Sequence, residues 1–418
     1  MGVRMSRVLP WYVPPTLFVR QVLSAATVRS ATGWSPGSRW VKSLSSLLRS
    51  ANGAKAMGCF GYAPHPVYEV TAACNLRCAH CHASAGRPYP GELDTEGAKR
   101  VIESLTTVKD FRTLVFTGGE PLVRKDIWEL TRHAVDLGFG VVFATNGVLV
   151  SESVAAEMRR LGVLGAAVSL DSSRPLVHDK LRGVPGAWRG AVRGIKNLLK
   201  EGLYVQVNIT ANRLNVDEIE DVVRLADSLG SHVIFLYTFV SVGRGSSNDW
   251  LSLTPEEFVK LSRRILKVQG EVQSLIIPVA MPWYFPLLLQ EARLKPEVAS
   301  RWVSGCIAAR GMFYVKPNGD AWPCAFIPVS GGNVARQPAI EVWEGDLFKA
   351  IRNRENLEEP CRSCRFREVC GGCRSRAYLA TGRLTAPDPL CPLVRRRLST
   401  STAPSGPLQP AAKSGEPN

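Results

Sequence analysis

The sequence predicts an α/β architecture, a partial (β/α)6 barrel of the TIM type followed by a small cysteine-rich domain. Three observations predict it. Apolar, β-branched runs alternate with helix-period segments from Pro66 to about residue 269. Unusual residues recur at the strand ends, where parallel barrels place their chemistry. Ten of the eleven cysteines fall into two groups, three over residues 74–81 and seven over residues 306–391.

Taken in order, Val67–Ala72 is the first strand and runs into the cysteine loop. Thr95–Leu105 follows as a helix with Asp94 as its cap. Strand Thr113–Phe116 ends in Thr117-Gly118-Gly119-Glu120-Pro121, and helix Asp126–Leu137 returns the chain. Strand Val141–Ala144 ends in Thr145-Asn146-Gly147, ahead of helix Glu152–Leu161. Strand Ala166–Leu170 ends at Asp171, and helix Ala187–Lys200 leads to strand Tyr204–Thr210. Helix Val216–Leu229 and strand His232–Phe239 complete the sixth unit. Thr254-Pro255-Glu256-Glu257 opens one more helix with a cap, a first-turn proline and a reciprocal acid. The boundaries that result are a basic extension over 1–57, the barrel over 58–269, a linker or lid over 270–303, the cysteine-rich domain over 304–397 and a disordered tail over 398–418.

Composition narrows the function classes. With 418 residues, 45% of them hydrophobic, the chain can bury a large core. No apolar run has the length of a membrane span. The net charge is +16, and half the excess lies in residues 1–68, which hold six Arg and two Lys but no acid. The remainder is modestly basic, which argues against a nucleic-acid surface. Leu17–Arg29 and Arg39–Arg49 read as short basic amphipathic helices, suited to a membrane-surface or docking arm, a targeting peptide, or simple packing on the main domain. Cys59 has no motif partner. Tightly spaced cysteines suit metal or iron–sulfur ligation in a reducing cytoplasm better than a disulfide framework.

Cys74, Cys78 and Cys81, spaced x3 and x2, can converge on one inorganic group. Three thiolates would leave one iron of a [4Fe–4S] cluster open to a cofactor. By themselves they also allow a zinc site completed by His80 or His82, or a disulfide pair. Cys306, Cys324, Cys361, Cys364, Cys370, Cys373 and Cys391 read equally as zinc knuckles or iron–sulfur ligands when taken alone.

The first triplet resembles the signature of the radical S-adenosylmethionine (radical SAM) superfamily, and the later seven cysteines resemble its SPASM extension. That resemblance implies an enzyme whose [4Fe–4S] cluster, held by Cys74, Cys78 and Cys81, binds SAM and cleaves it to a hydrogen-abstracting 5′-deoxyadenosyl radical. Gly118, Gly119, Glu120 and Pro121 resemble the GGEP motif that meets the SAM amino group. Ser169 or Asp171 would meet the ribose, Arg182 the SAM carboxylate, and Asn146 and Asn208 other parts of the rim. Gly243-Arg244-Gly245 would flank the adenine, with Arg244 equally readable as structural, and His178 and Asp179 read as helix-end hydrogen bonds. The resemblance further implies two auxiliary [4Fe–4S] clusters. Cys361, Cys364, Cys370 and Cys391 would hold one, and Cys306, Cys324 and Cys373 the other. A ferredoxin- or flavodoxin-type protein is the implied electron donor.

Ala325, following Cys324, argues against sulfatase maturation, where an Asp stands at that place. The run Cys370-Gly371-Gly372-Cys373-Arg374-Ser375-Arg376-Ala377-Tyr378 and the later Asp388-Pro389-Leu390-Cys391 are similar to radical SAM enzymes of alternative haem, haem d1 and PQQ-type cofactor biosynthesis. The expected substrate is a tetrapyrrole side chain. The alternatives are a peptide or protein maturase and a non-enzymatic zinc or iron–sulfur scaffold.

Overall fold

Strand formation here follows from runs of β-branched and aromatic residues cut short by glycine and capped helices. The structure, a computed structural model, describes residues 15–37 and 63–394. Arg39–Arg49, Cys59 and the segment 398–418 lie outside the described residues.

Seven parallel strands, β1 (His65–Thr71), β2 (Thr113–Gly118), β3 (Gly140–Thr145), β4 (Gly165–Ser169), β5 (Tyr204–Ala211), β6 (Val233–Thr238) and β7 (Leu275–Val279), lie side by side in chain order. On the other side of β1 a short hairpin, β8 (Met312–Val315) and β9 (Ala321–Trp322), continues the same sheet. β8 runs parallel to β1, pairing His65 with Met312 and Tyr68 with Val315. The cysteine-rich part is thus rooted in the barrel sheet.

Each strand sorts its residues by alternation. In β5 the odd positions Val205, Val207 and Ile209 are buried under the outer helices. The even positions Tyr204, Gln206, Asn208 and Thr210 face an interior cavity. Helix ends are fixed locally: Asp94 accepts from the Gly97 amide at 2.8 Å, and Ser151 from Val154 at 3.1 Å. Thr254 and Glu257 form the reciprocal capping box that their spacing predicts. Helix Ala187–Lys200 approaches β3 closely, since a Cβ at Gly194 would stand 2.4 Å from the Gly147 carbonyl oxygen.

One expectation changes. Residues 270–303 are not merely a linker or lid, because they contain the seventh strand and the helix Tyr284–Glu291. Pro278 hides that strand from a sequence reading, but a proline is tolerated where one strand edge is free of a neighbour, and β7 is such an edge. Leu17–Arg29 belongs to α1 (Pro15–Thr32), which packs on the helices that flank β7, in keeping with the reading of simple packing on the main domain. Ser24 Oγ donates to the Trp302 carbonyl at 2.8 Å, and Trp302 Nε1 donates to Thr27 Oγ1 at 3.1 Å. Trp34, 1% exposed, joins the barrel core and donates to the Gln273 carbonyl at 3.2 Å. No helix among the described residues is long and apolar enough to cross a membrane.

Candidate active site

β1 delivers the chain to the loop that carries Cys74, Cys78 and Cys81 at the carboxyl rim of the barrel. Backbone bonds pin this loop to the fourth strand–helix unit: the Arg77 amide donates to the Arg182 carbonyl at 3.1 Å, and Ala79 to Leu181 at 2.8 Å. Arg244 pins its other side, donating from Nη1 to the Cys78 carbonyl at 3.0 Å and from Nη2 to the Ala85 carbonyl. Gly243 must be glycine there, with φ +60° and a would-be Cβ only 2.2 Å from the His82 carbonyl oxygen. Arg244 is therefore a loop clamp, the structural role that stood beside an adenine contact among its readings.

Gly118 and Gly119 bring β2 against the start of the same loop. A Cβ on either would lie 2.2 Å from a carbonyl oxygen, that of Thr71 or Ala73. Both glycines line the cavity. Glu120 and Pro121 do not. Glu120 is fully buried, accepting from Thr145 Oγ1 at 2.8 Å, the Asn146 amide at 2.8 Å and the Leu122 amide at 3.2 Å. Burial pushes its carboxyl up to about 7, against those hydrogen bonds. Its carboxylate organises the end of β3 through these bonds. Asn146 lines the cavity, with its Nδ2 donating to Asn75 Oδ1 at 2.7 Å.

The fourth strand end is organised in the same way. Ser169 lines the cavity, but Asp171 is fully buried and grips Arg182, with Nε at 2.8 Å and Nη2 at 2.7 Å. Burial alone would raise the Asp171 carboxyl; the Arg182 charge, with His80 and His178, outweighs it and holds the group below its usual range. Asp171 thus positions Arg182, and of the two residues expected near the ribose it is Ser169 that faces the cavity. Arg182 keeps Nη1 toward Cys78 Sγ, at 3.8 Å, on the cavity side. His80 lies 3.5 Å from Asp171 through Nε2, and burial draws it down to about 4, so the ring is neutral. His178 accepts from the Asp171 amide, and Asp179 caps the next helix through the Gly186 and Trp188 amides, as their helix-end reading expected.

The two cysteine groups meet. Cys306, Cys324 and Cys373 line the same cavity as Cys74, Cys78 and Cys81; its volume is about 320 Å³. Cys361, Cys364, Cys370 and Cys391 line a separate, smaller cavity beside it. All ten described cysteines are free thiols. Burial raises the Cys74 and Cys361 thiols to about 11 each, with Arg374 the main opposing charge at Cys361. Several sulfurs already accept amide hydrogen bonds, Cys74 from Leu76 at 3.4 Å, Cys81 from Ala85 at 3.4 Å and Cys370 from Gly372 at 3.5 Å. Such donors favour thiolate ligands. Among the described residues no three His, Cys, Asp or Glu groups gather on a single metal ion. Thiolates that bind a four-iron group each meet a different iron and need not gather so closely. This donor set, with glycines cradling the loop, fits iron–sulfur groups.

Sequence reading missed the groups that join the two halves. Arg376 binds Asp388 in a bidentate pair at 3.0 and 2.8 Å, and also donates to the Ala280 carbonyl at 2.7 Å beyond β7. Asp388 accepts from the Cys373 amide at 2.8 Å. Tyr314 on β8 donates to Glu69 at 3.1 Å and lies 3.3 Å from His82 Nε2; Lys316 pairs with the same Glu69. Arg376 and Asp388 stood in the sequence only as members of the C-terminal motif run, and the signal for the Tyr314–Lys316 contact was an acid, Glu69, inside an apolar strand.

A partial parallel barrel with a three-thiol loop at its carboxyl rim, facing further thiols across one cavity, defines an iron–sulfur enzyme that works on a bound cofactor. Comparison with known proteins makes the class specific. Residues 68–226 match the radical SAM superfamily, and residues 306–365 match SPASM, an iron–sulfur cluster-binding domain. The chain is 34% identical to the AdoMet-dependent heme synthase of Methanosarcina barkeri, over 78% of this chain and 95% of that one. It is 31% identical to a mycofactocin maturase of Mycobacterium ulcerans, over 78% and 86%. Its fold superposes on Streptococcus suis SuiB bound to the precursor peptide SuiA with a TM-score of 0.63, at 17% identity, covering 84% of this chain and 79% of that one. The chain belongs to the radical SAM superfamily, in its SPASM-containing branch. It is therefore an enzyme, and the scaffold alternative is set aside.

Proposed function

We propose that this enzyme remodels a carboxylate-bearing side chain of an iron-bound or modified tetrapyrrole by radical SAM chemistry. One observation carries the substrate class. The cavity wall is mostly apolar, and the charged side chains lining it are Arg182, Arg244 and Arg374, with no Asp, Glu or Lys among the described residues there. An apolar wall suits a flat hydrophobic ring, and the positive field of these arginines, though each is held by protein groups, favours a ring that carries acids. The names of relatives in the haem synthase group support the same reading.

In this reading Cys74, Cys78 and Cys81 hold the SAM-binding [4Fe–4S] cluster. Cys306, Cys324 and Cys373 hold one auxiliary cluster across the cavity, and Cys361, Cys364, Cys370 and Cys391 hold a second beside it. The cluster and SAM together supply a hydrogen-abstracting adenosyl radical. The protein's own part is placement. Gly118 and Gly119 let a ligand approach the backbone at the end of β2. Asn146 and Ser169 offer polar contacts at the next two strand ends. Arg182, braced by Asp171, presents its remaining edge to the SAM carboxylate. Apolar side chains such as Val115, Val142, Phe235 and Phe239 exclude water. Electrons come from a ferredoxin- or flavodoxin-type donor in a reducing cytoplasm.

The peptide-maturase alternative rests on the 31% identity to mycofactocin maturases. Both are tested together, by anaerobic turnover of the reconstituted enzyme with SAM, reductant and either an iron tetrapyrrole bearing propionates and acetates or a short peptide. The expected result is side-chain loss from the tetrapyrrole by mass spectrometry, with stimulated 5′-deoxyadenosine release. Stimulation by peptide alone would overturn the tetrapyrrole reading.

A further inference from the structure

Two of the four buried arginines among the described residues face a carboxylate: Arg182 faces Asp171, and Arg376 faces Asp388. Two do not. Arg354 and Arg374, 5% and 3% exposed, lie in the cysteine-rich part and bind neutral oxygens. Arg354 donates to the Arg367 carbonyl at 2.8 Å, the Glu368 carbonyl, Ser304 Oγ at 2.8 Å and the Cys306 carbonyl at 3.0 Å. Arg374 donates from Nη1 to the Leu384 and Ala386 carbonyls at 2.8 Å each and from Nε to the Gly372 carbonyl at 3.4 Å. Its Nη2 is buried without a hydrogen-bond partner. Nearby acids are engaged elsewhere, Glu368 by Arg310 and Arg367 and Asp388 by Arg376.

A buried cation without a counter-charge is costly, and carbonyl dipoles offset only part of that cost. Both guanidinium groups press on the Cys370–Cys373 turn. A Cβ on Gly371 would stand 2.6 Å from Arg354 Cζ, and one on Gly372 would stand 2.5 Å from Arg374 Nη2. The two glycines, both at positive φ, leave room for the cations against the thiols. Arg354 also holds the carbonyl of Cys306, and Arg374 both lines the cavity of Cys306, Cys324 and Cys373 and holds the 384–386 segment that leads to Cys391, so each sits between the two cysteine sets.

We infer that Arg354 and Arg374 are the built-in counter-charges of the auxiliary iron–sulfur groups and set their reduction potentials, each acting on both groups from the Cys370–Cys373 turn. This rests on the cluster assignment above. Reduction adds one negative charge to a buried group, so a fixed cation beside it favours the reduced form and raises the potential.

The test is an EPR-monitored redox titration of the reconstituted full chain. Arg354→Gln should lower the reduced fraction of both auxiliary couples roughly ten-fold at a fixed potential, which is about 59 mV for a one-electron couple. Arg374→Gln should do the same. The SAM-binding cluster should keep its potential in both variants, and Arg354→Lys and Arg374→Lys should restore most of the shift. Unchanged auxiliary potentials in Gln variants that retain their iron would overturn the inference alone. Iron-free Gln variants rescued in iron content by Lys would support the counter-charge role; no rescue by Lys would count against it. A wild-type enzyme with no auxiliary couple would overturn both this inference and the cluster assignment.

Discussion

The barrel rim and the C-terminal cysteine field handle buried charge differently. At the rim, Asp171 neutralises Arg182, Glu120 is held by three hydrogen bonds, and the cysteine loop is tied down through Arg77, Ala79 and Arg244. In the field, Arg376 has Asp388, but Arg354 and Arg374 have only carbonyls and a serine. The rim is organised by protein groups alone. The field is left with a positive surplus that suits anionic clusters, so its order depends more on their presence.

That contrast can be broken or sharpened by experiment. The largest effect is expected from Cys78→Ala, which should abolish reductive 5′-deoxyadenosine release while leaving the field's clusters in place, read as product by chromatography. Next is Asp171→Asn. It strands the buried Arg182 and should cost about 3–5 kcal/mol of stability in chemical denaturation, with weakened SAM binding. Removal of iron should then separate the two regions by hydrogen exchange. The rim amides of Arg77 and Ala79 should stay protected while those of Cys370–Cys373 open; equal loss in both would erase the distinction. Gly119→Ala should cost about 1–3 kcal/mol by overpacking against the Ala73 carbonyl, and should slow SAM cleavage. The smallest effect is Thr254→Ala, about 1 kcal/mol from the lost cap, with no change in activity.

The sequence exposed the fold where local signals were strong. Caps at Asp94, Ser151 and Thr254 and the apolar strands between them need only neighbouring residues to be read. β7 escaped because Pro278 interrupts its pattern, and only its place at a sheet edge makes the proline acceptable. The cysteine spacings pointed to two groups of ligands, but not to the shared cavity, which depends on β8 pairing with β1 across more than two hundred residues of chain. Motif residues Glu120 and Asp171 were legible as part of the site, yet their task of bracing Asn146 and Arg182 follows from burial, which no spacing reveals. Arg354 gave no signal at all, since its partners lie in two other segments, around Ser304–Cys306 and Arg367–Glu368.

The measurement that bears most directly on the central claim is iron and sulfide content per chain after anaerobic reconstitution, with Mössbauer spectra, for wild type and for a Cys74→Ala, Cys78→Ala, Cys81→Ala variant. Three four-iron groups predict about twelve irons in the wild type and about eight in the variant. Zinc in the field, or about four irons in the wild type and none in the variant, would contradict the account.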